Sequence, residues 1–330
     1  MERATITEVA RRAGVSISTA SRALNGRVAS AETAERVRGV ATELGYVADS
    51  TARSLKLGKT QQLAFAVADI GNPVYVEIMG AVEAVVAAAD YRLTISTTGD
   101  ADATVDLVRS LGRGYVDGLI LSPLRVTPEL VEALAQSPVP VVVLGRLPEG
   151  SGIDTVIADS PTGMRLVVDH LVVSGRRHLA FLNGPADTTP GRVRREAFAR
   201  AVSHAQVLSE EIPVDDFTIA AGYRAARALL ERPDREVDAL VAANDLIGIG
   251  ALHAADDLGL RVPDDIAVTG MDDTELAQVT RPTLTSVDLG APERGRAAAR
   301  LLLSRLDEPR RPAETITVAP DLRVRRSSGG

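Results

Sequence analysis

The 330-residue chain contains no cysteine, which excludes disulfides and thiolate metal sites and leaves its redox compartment unread. Aromatic residues make up only 3% of it, although a hydrophobic fraction of 45% can supply a sizeable core. No apolar run approaches the length of a membrane span, and no charged-then-apolar leader opens the sequence. The four histidines, His170, His178, His204 and His253, show no metal-ligand spacing. A Gly-Lys-Ser/Thr phosphate loop is missing. Gly248-Ile249-Gly250 lacks the third glycine of a dinucleotide fingerprint and lies within an apolar helical stretch. Carboxylates are plentiful but scattered. These absences argue against an enzyme, and no cofactor or metal is expected. Lysine occurs only at Lys56 and Lys59; an Arg- and Ala-rich composition can reflect genome bias, so that scarcity excludes nothing.

What is present begins at residue 5. Thr5 followed by Glu8 forms a capping box, and Ile6, Val9, Ala10 and Ala13 then give a short helix one small apolar face. Gly14 can end that helix in the left-handed conformation, and Ser16 can cap the next. The second helix is polar at its start, with Ser16, Ser18, Thr19, Ser21 and Arg22, while Ala20, Ala23 and Leu24 can face inward. A third follows: Ser30 as cap, Glu32 and Glu35 near its start, Ala34, Val37, Ala41 and Leu44 on one face, and Gly45 as the stop. Such a trio suits a major groove, but any small three-helix unit with a polar surface has the same spacing. Charge favours the groove. Residues 1–60 carry ten Lys or Arg against six Asp or Glu, so the chain's net −7 leaves −11 for residues 61–330. A basic head on an acidic body contacts phosphates at one end only.

From residue 62 onward, short apolar runs alternate with helical patterns. Strands are expected at Leu63–Ala68, Leu93–Ser96, Gly118–Leu121, Val139–Leu144, Leu179–Leu182, Ala239–Ala242 and Ile266–Thr269, with helices over 76–89, 161–173, 191–205 and 246–258. This alternation predicts parallel sheets covered on both faces, with a ligand beyond the carboxyl ends of the strands. Polar residues stand at those ends: Asp69, Asn72, Ser122, Arg146, Asn183, Asn244, Asp272 and Asp273.

Thr7-Glu-Val-Ala-Arg-Arg-Ala-Gly-Val-Ser, Ser21-Arg-Ala-Leu-Asn-Gly, Leu44-Gly-Tyr, Thr51-Ala-Arg-Ser-Leu-Lys, Asp69-Ile-Gly-Asn-Pro, Val116-Asp-Gly-Leu-Ile-Leu-Ser-Pro, Asn244-Asp and Gly270-Met-Asp-Asp follow one another in an order that resembles the lactose-repressor family of bacterial transcription regulators. The resemblance covers essentially the whole chain. It implies an all-α helix-turn-helix head over 1–48, a hinge helix and linker over 49–60, and an α/β core over 61–330. That core would resemble periplasmic sugar-binding proteins: two doubly wound parallel-sheet subdomains, one over about 61–160 and 290–318, the other over about 161–289 and 319–330. It further implies that Ile17, Ser18 and Arg22 read major-groove bases. Chemistry agrees, since an arginine can bind guanine bidentately and an isoleucine can meet a thymine methyl. Thr5, Ser16, Thr19 and Asn25 look like phosphate contacts, with capping and turn formation as the alternative, and Arg27 and Lys56 join the DNA-contacting set. Leu55 matches the leucine that wedges into the minor groove at the operator centre; its alternative is an ordinary linker residue packed on the core.

In the family the cleft between subdomains holds a small effector. The matching contacts here are Asp69, Tyr75, Ser122, Arg146, Asp159, Arg194, Phe217, Asn244 and Asp272. Their carboxylates and guanidinium groups suit the vicinal hydroxyls of a sugar or related polyol, and Phe217 or Tyr75 can stack on a ring. Asp69 and Asp272 have helix capping as an alternative, Asn244 helix initiation, and Arg146 a surface or subunit-interface position. Three departures stand out: Ala20 where relatives show valine, Ala197 where they show glycine, and Met271 where they show an aromatic. The last two are expected to reshape the pocket. The head also reads one residue short between Arg27 and Val28.

The function expected is therefore an operator-binding regulator, a repressor, acting as a homodimer on a palindrome because one head reads only a few base pairs. Its allosteric control would come from the effector, and its expected location is the cytoplasm, associated with the nucleoid. The rival readings are a transport-type periplasmic sugar receptor, which the head and the missing leader disfavour, and an enzyme on a doubly wound fold. No heptad pattern follows the core, so no tetramerising coiled coil is expected.

Overall fold

The computed structural model describes residues 4–24, 30–46, 59–111 and 114–329. The chain divides into two compact units, Met1–Thr60 and Gln61–Gly330.

In the first unit, α1 spans Ile6–Arg12, α2 Ile17–Leu24 and α3 Ala31–Glu43. The capping box forms in both directions: Thr5 Oγ accepts from the Glu8 amide and Glu8 accepts from the Thr5 amide. Ser30 caps α3, and Gly14 and Gly45 take positive φ at the two turns. Val9, Ala10, Ala13, Ala20, Ala23, Val37 and Ala41 close a small core, edged by Ile6, Leu24, Ala34 and Leu44. Ala20 is fully buried there, so its small side chain serves packing rather than the exposed face. The hinge segment 49–58, with Leu55 and Lys56, and the residues Asn25 and Arg27 lie outside the described residues.

Among the described residues the second unit holds two six-stranded sheets. The first contains β1 (Gln62–Val67), β2 (Arg92–Thr97), β3 (Gly118–Ser122), β4 (Val141–Leu144), β5 (Asp154–Ala158) and β11 (Thr315–Val318), in the order β2-β1-β3-β4-β5-β11, all parallel. The second contains β6 (His178–Asn183), β7 (Leu208–Pro213), β8 (Ala239–Ala242), β9 (Ala267–Met271), β10 (Thr285–Asp288) and β12 (Asp321–Arg323), in the order β7-β6-β8-β9-β10-β12. Here β12 runs antiparallel to β10, an edge pairing that alternation alone does not anticipate.

Helices α4 (Pro73–Ala88), α5 (Ala101–Ser110), α6 (Pro128–Ala135) and α12 (Ala291–Asp307) flank the first sheet. Along β1 the side chains alternate: Leu63, Phe65 and Val67 join α4 and α12 on one face, Ala64 and Ala66 join α5 and α6 on the other. Helices α7 (Ser160–Val173), α8 (Thr189–Ala205), α9 (Ile219–Leu230), α10 (Asp245–Asp257) and the short α11 (Glu275–Val279) surround the second sheet, around one large core that includes Phe181 and Phe198. The Gly248-Ile-Gly250 motif explains itself here. A Cβ on Gly250 would lie 2.3 Å from the Ile219 carbonyl oxygen and 2.4 Å from the Tyr223 nitrogen, so glycine is what lets α9 and α10 approach.

The chain passes from one sheet to the other three times: between β5 and α7, between β10 and α12, and between β11 and β12. Both strand orders reverse next to their first strand, and each reversal opens a crevice at the carboxyl ends.

Candidate functional site

Two surfaces carry the chemistry, one in each unit. On α2, Ile17, Ser18 and Arg22 are exposed along one helix face, and the isoleucine keeps half of its surface exposed. Ser16 Oγ accepts from the Thr19 amide at 3.1 Å and lies 2.8 and 2.9 Å from the Ser18 and Thr19 hydroxyls. Thr5 and Ser16 thus both cap helices, as the alternative allowed, and their exposed hydroxyls are at helix N-termini, where a phosphate oxygen is also favoured.

In the core unit, a cavity of about 160 Å³ opens where the carboxyl ends of both sheets meet. From the first sheet it is walled by Asp69 after β1, Tyr75 on α4, Ser122 at the end of β3 and Arg146 after β4; from the second by Arg194 on α8, Phe217 before α9, Asn244 after β8 and Asp272 after β9. Asp159 is the exception. It caps α7, accepting from the Thr162 amide at 3.2 Å, and does not line the cavity; its neighbour Ser160 does. The carboxylate is drawn to its own helix because Asp159 directly precedes the first free amides. Ala197 and Met271 also miss the cavity. Both are buried in the core of the second sheet, so neither reshapes the lining directly.

The deep end is ionic. Arg194 donates from Nη1 to the Ala243 carbonyl at 2.6 Å and from Nη2 to Asp272 at 3.4 Å. Asp272 holds φ +113, a region that L side chains rarely adopt, and its amide is tied to the Val287 carbonyl at 2.8 Å. Strain of this kind persists where the surroundings over-determine the backbone, and here it turns the carboxylate toward Arg194. Burial pushes the Asp272 carboxyl up, opposed by the charges of Arg194 and Arg294. Burial likewise raises Tyr75, against a hydrogen bond with Ser122.

Phe217 can lie against the wall because Gly184 has no side chain; a Cβ there would fall 2.3 Å from the ring. Asn244 spends its amide on structure: Oδ1 accepts from the Ile247 amide at 2.9 Å and Nδ2 donates to the Phe217 carbonyl at 3.2 Å. Asp69, at the exposed rim, accepts from the Gly71 amide at 2.8 Å.

Sequence reasoning missed Asp216, Thr189 and above all Arg294 in the lining. Arg294 occupies the first turns of α12 among Glu293 and Arg296, so its pattern reads as a solvated face. Gly295 is the signal that finds it. A Cβ there would lie 2.5 Å from the Ile78 carbonyl, so α12 and α4 touch at that point and bring Arg294 beside Tyr75 and Ile78. Two contacts also cross the mouth: Arg125 to Asp187 at 2.7 Å, and the Thr189 amide to the Leu124 carbonyl at 2.7 Å. Among the described residues there is no cluster suited to a metal ion and no helix long and apolar enough to cross a membrane.

Comparison with known proteins adds to this geometry. Residues 5–49 match the model for bacterial regulatory proteins of the lacI family, and residues 168–328 match that for a periplasmic binding protein-like domain. The chain is 32% identical to the ribose operon repressor of Halalkalibacterium halodurans, over 92% of this chain and 91% of that one. It is equally 32% identical to catabolite control protein A of Priestia megaterium, over 90% and 91%. Among solved structures, the lac repressor dimer bound to operator and the anti-inducer ONPF aligns with a TM-score of 0.89 at 25% identity, covering 99% of both chains.

Proposed function

The chain belongs to the lacI family of bacterial regulatory proteins, and from that premise we propose that the cavity between its two sheets is the effector site that governs a DNA-reading head. The protein is a DNA-binding transcriptional repressor with an effector-binding core, and it works as a homodimer on a palindromic operator. The residue roles are our assignment. Ile17, Ser18 and Arg22 read base edges, helped by the capping hydroxyls of Ser16 and Thr19 at phosphates. Tyr75, Ser122 and Arg294 on one wall and Arg194, Phe217 and Asp272 on the other hold the effector. The subdomains are 61–160 with 290–318, and 161–289 with 319–330. The protein acts on DNA without catalysis, in the nucleoid.

One observation supports this most: a single cavity collects charged and polar side chains from the carboxyl ends of both sheets, in a chain that also carries the head. A ligand touching both walls binds the closed arrangement better than an open one, and only such a difference can shift a conformational equilibrium. The Arg125–Asp187 pair and the Thr189–Leu124 hydrogen bond also join the two walls across the mouth.

The two relatives at equal identity carry different names, so ligand identity is not inherited. The test is linkage. Operator affinity is titrated by fluorescence anisotropy with and without saturating ligand, on a duplex selected in vitro by this protein. Effector affinity must change by the same factor when operator is present. A ligand that fills the cavity and leaves operator affinity unchanged would refute the assignment.

A further inference from the structure

The deep end of the cavity holds more positive than negative charge. Arg194 and Arg294 both reach it, while Asp272 is the one carboxylate placed between them. The other acidic groups are spent elsewhere. Asp69 and Asp216 sit at the exposed rim, each accepting a backbone amide. Asp288, whose charge also acts on Arg294, accepts from the Gly290 amide at 2.7 Å and from Arg323 at 3.4 Å. Among the described residues Asp272 is the only carboxylate hydrogen-bonded to Arg194, and it is the one deep carboxylate facing two guanidinium groups.

Arg294 is also under-satisfied. Its Nε is buried with no hydrogen-bond partner, and Arg194 Nε shares that condition. Arg294 makes no ion pair among the described residues. A guanidinium carries five donors and keeps its charge, and burying it unpaired is costly. Burial works against its charged form, the charge of Asp272 opposes that, and the neighbouring Arg194 adds to the burial effect. A neutral hydroxyl can accept one such donor, but it returns no charge. A carboxylate or phosphate meets the fork with two parallel bonds and neutralises it.

Resting on the effector-site reading above, we propose that the effector is an anionic sugar derivative, a sugar acid or sugar phosphate, whose charged oxygens pair with Arg294 at the deep end of the cavity. The hydroxyls of the same ligand face Ser122 and the exposed Asp69, and Phe217 covers the ring. This differs from the neutral polyol that the carboxylates alone suggest, because Asp69 and Asp216 stand at the exposed rim and the one deep carboxylate, Asp272, is already bonded to Arg194.

The experiment uses the full chain and matched probes: glucose against gluconate and glucuronate, and glucose and ribose against their terminal phosphates. Binding is measured by calorimetry for the wild type, Arg294→Leu and Arg294→Gln, with far-ultraviolet circular dichroism confirming the fold. An acidic probe is expected to bind wild type, and its neutral parent to bind at least roughly tenfold more weakly. Arg294→Leu should lose roughly 10- to 100-fold for the acid and little for the neutral parent. Arg294→Gln, which keeps two donors without charge, should lose nearly as much; its survival would serve if the leucine variant fails to fold. Preference for carboxylate over phosphate, or the reverse, identifies the group. The proposal is overturned if a neutral sugar binds wild type and both variants equally, or if no acidic probe binds at all. Binding of an acid that leaves operator affinity unmoved would sustain the charge pairing and sink the effector reading, so the two failures are distinguishable.

Discussion

Replacing Asp245 with asparagine isolates a single buried proton. Asp245 lies fully buried behind Asp272: one carboxylate oxygen accepts from the Thr274 amide at 2.7 Å and its hydroxyl at 2.9 Å, and the other meets the Ser286 hydroxyl. Burial first, and then the charge of Asp272, push this carboxyl up to about 7 from an ordinary 3.8, against the pull of those hydrogen bonds. The folded protein therefore holds a proton that the unfolded chain releases near pH 4. Stability is unaffected by this group below that point, falls as pH rises through the window to about 7, and stays reduced above it. A gap of about three pH units is on the order of 4 kcal/mol, at roughly 1.4 kcal/mol per unit. Asparagine cannot ionise. Its carbonyl keeps both Thr274 bonds, and its amide donates to Ser286, whose hydroxyl rotates to accept. Thermal unfolding of wild type and Asp245→Asn across this pH range should show no difference near pH 4 and a variant several degrees more stable above pH 7, given roughly 2–4 °C per kcal/mol for chains approaching this size. A difference that stays constant with pH would refute the reasoning.

Three further outcomes follow from the same geometry. Arg22→Ala should weaken operator binding by about 1–3 kcal/mol and relax preference at one base pair per half-site, which a panel of single-substituted duplexes reads directly. Gly250→Ala forces a Cβ to within 2.3 Å of the Ile219 carbonyl oxygen; because the obstacle is backbone, the expected cost is about 1–3 kcal/mol, visible in urea unfolding of the core. Arg125→Ala removes a partly exposed pair across the cavity mouth, so ligand affinity should fall by no more than about 1 kcal/mol, with a matching loss in Asp187→Ala and little additional loss in the double variant.

How much of this was legible in the sequence depends on which residues carry the signal. The head was readable because its devices are local: Thr5 with Glu8, Ser30 and Gly45 each mark a boundary through a bond made within a few residues. Buried strands such as β3 and β8 announce themselves as apolar runs. The edge strands β7, β11 and β12 do not, since Ser209 and Glu211, or Thr315 and Thr317, face solvent on alternate positions. Asp69, Ser122, Arg146, Asn244 and Asp272 were found in advance of the cavity because each follows a strand at its carboxyl end. That same rule overreached at Asn183 and Asp273, which do not line the cavity, and the family resemblance overreached at Asp159, whose side chain had a nearer partner in its own helix. The strand-end rule could not reach Arg294, which enters the cavity through a helix–helix contact permitted by Gly295 and Ile78, residues more than two hundred positions apart.

The position of Arg294 has a consequence for control as well as for recognition. Arg194 and Asp272 belong to the second sheet, whereas Arg294 and Tyr75 are carried by helices on the first. A ligand group that engages Arg294 while its ring lies on Phe217 must therefore span both walls. Its charge-assisted bonds are complete only when the mouth is shut, so they count fully toward the difference between closed and open states. A tenfold operator response needs about 1.4 kcal/mol of such difference. One bond of this class supplies that much, whereas the exposed Arg125–Asp187 pair does not. The residue that chooses the ligand is thus also the one best placed to make its binding felt as closure.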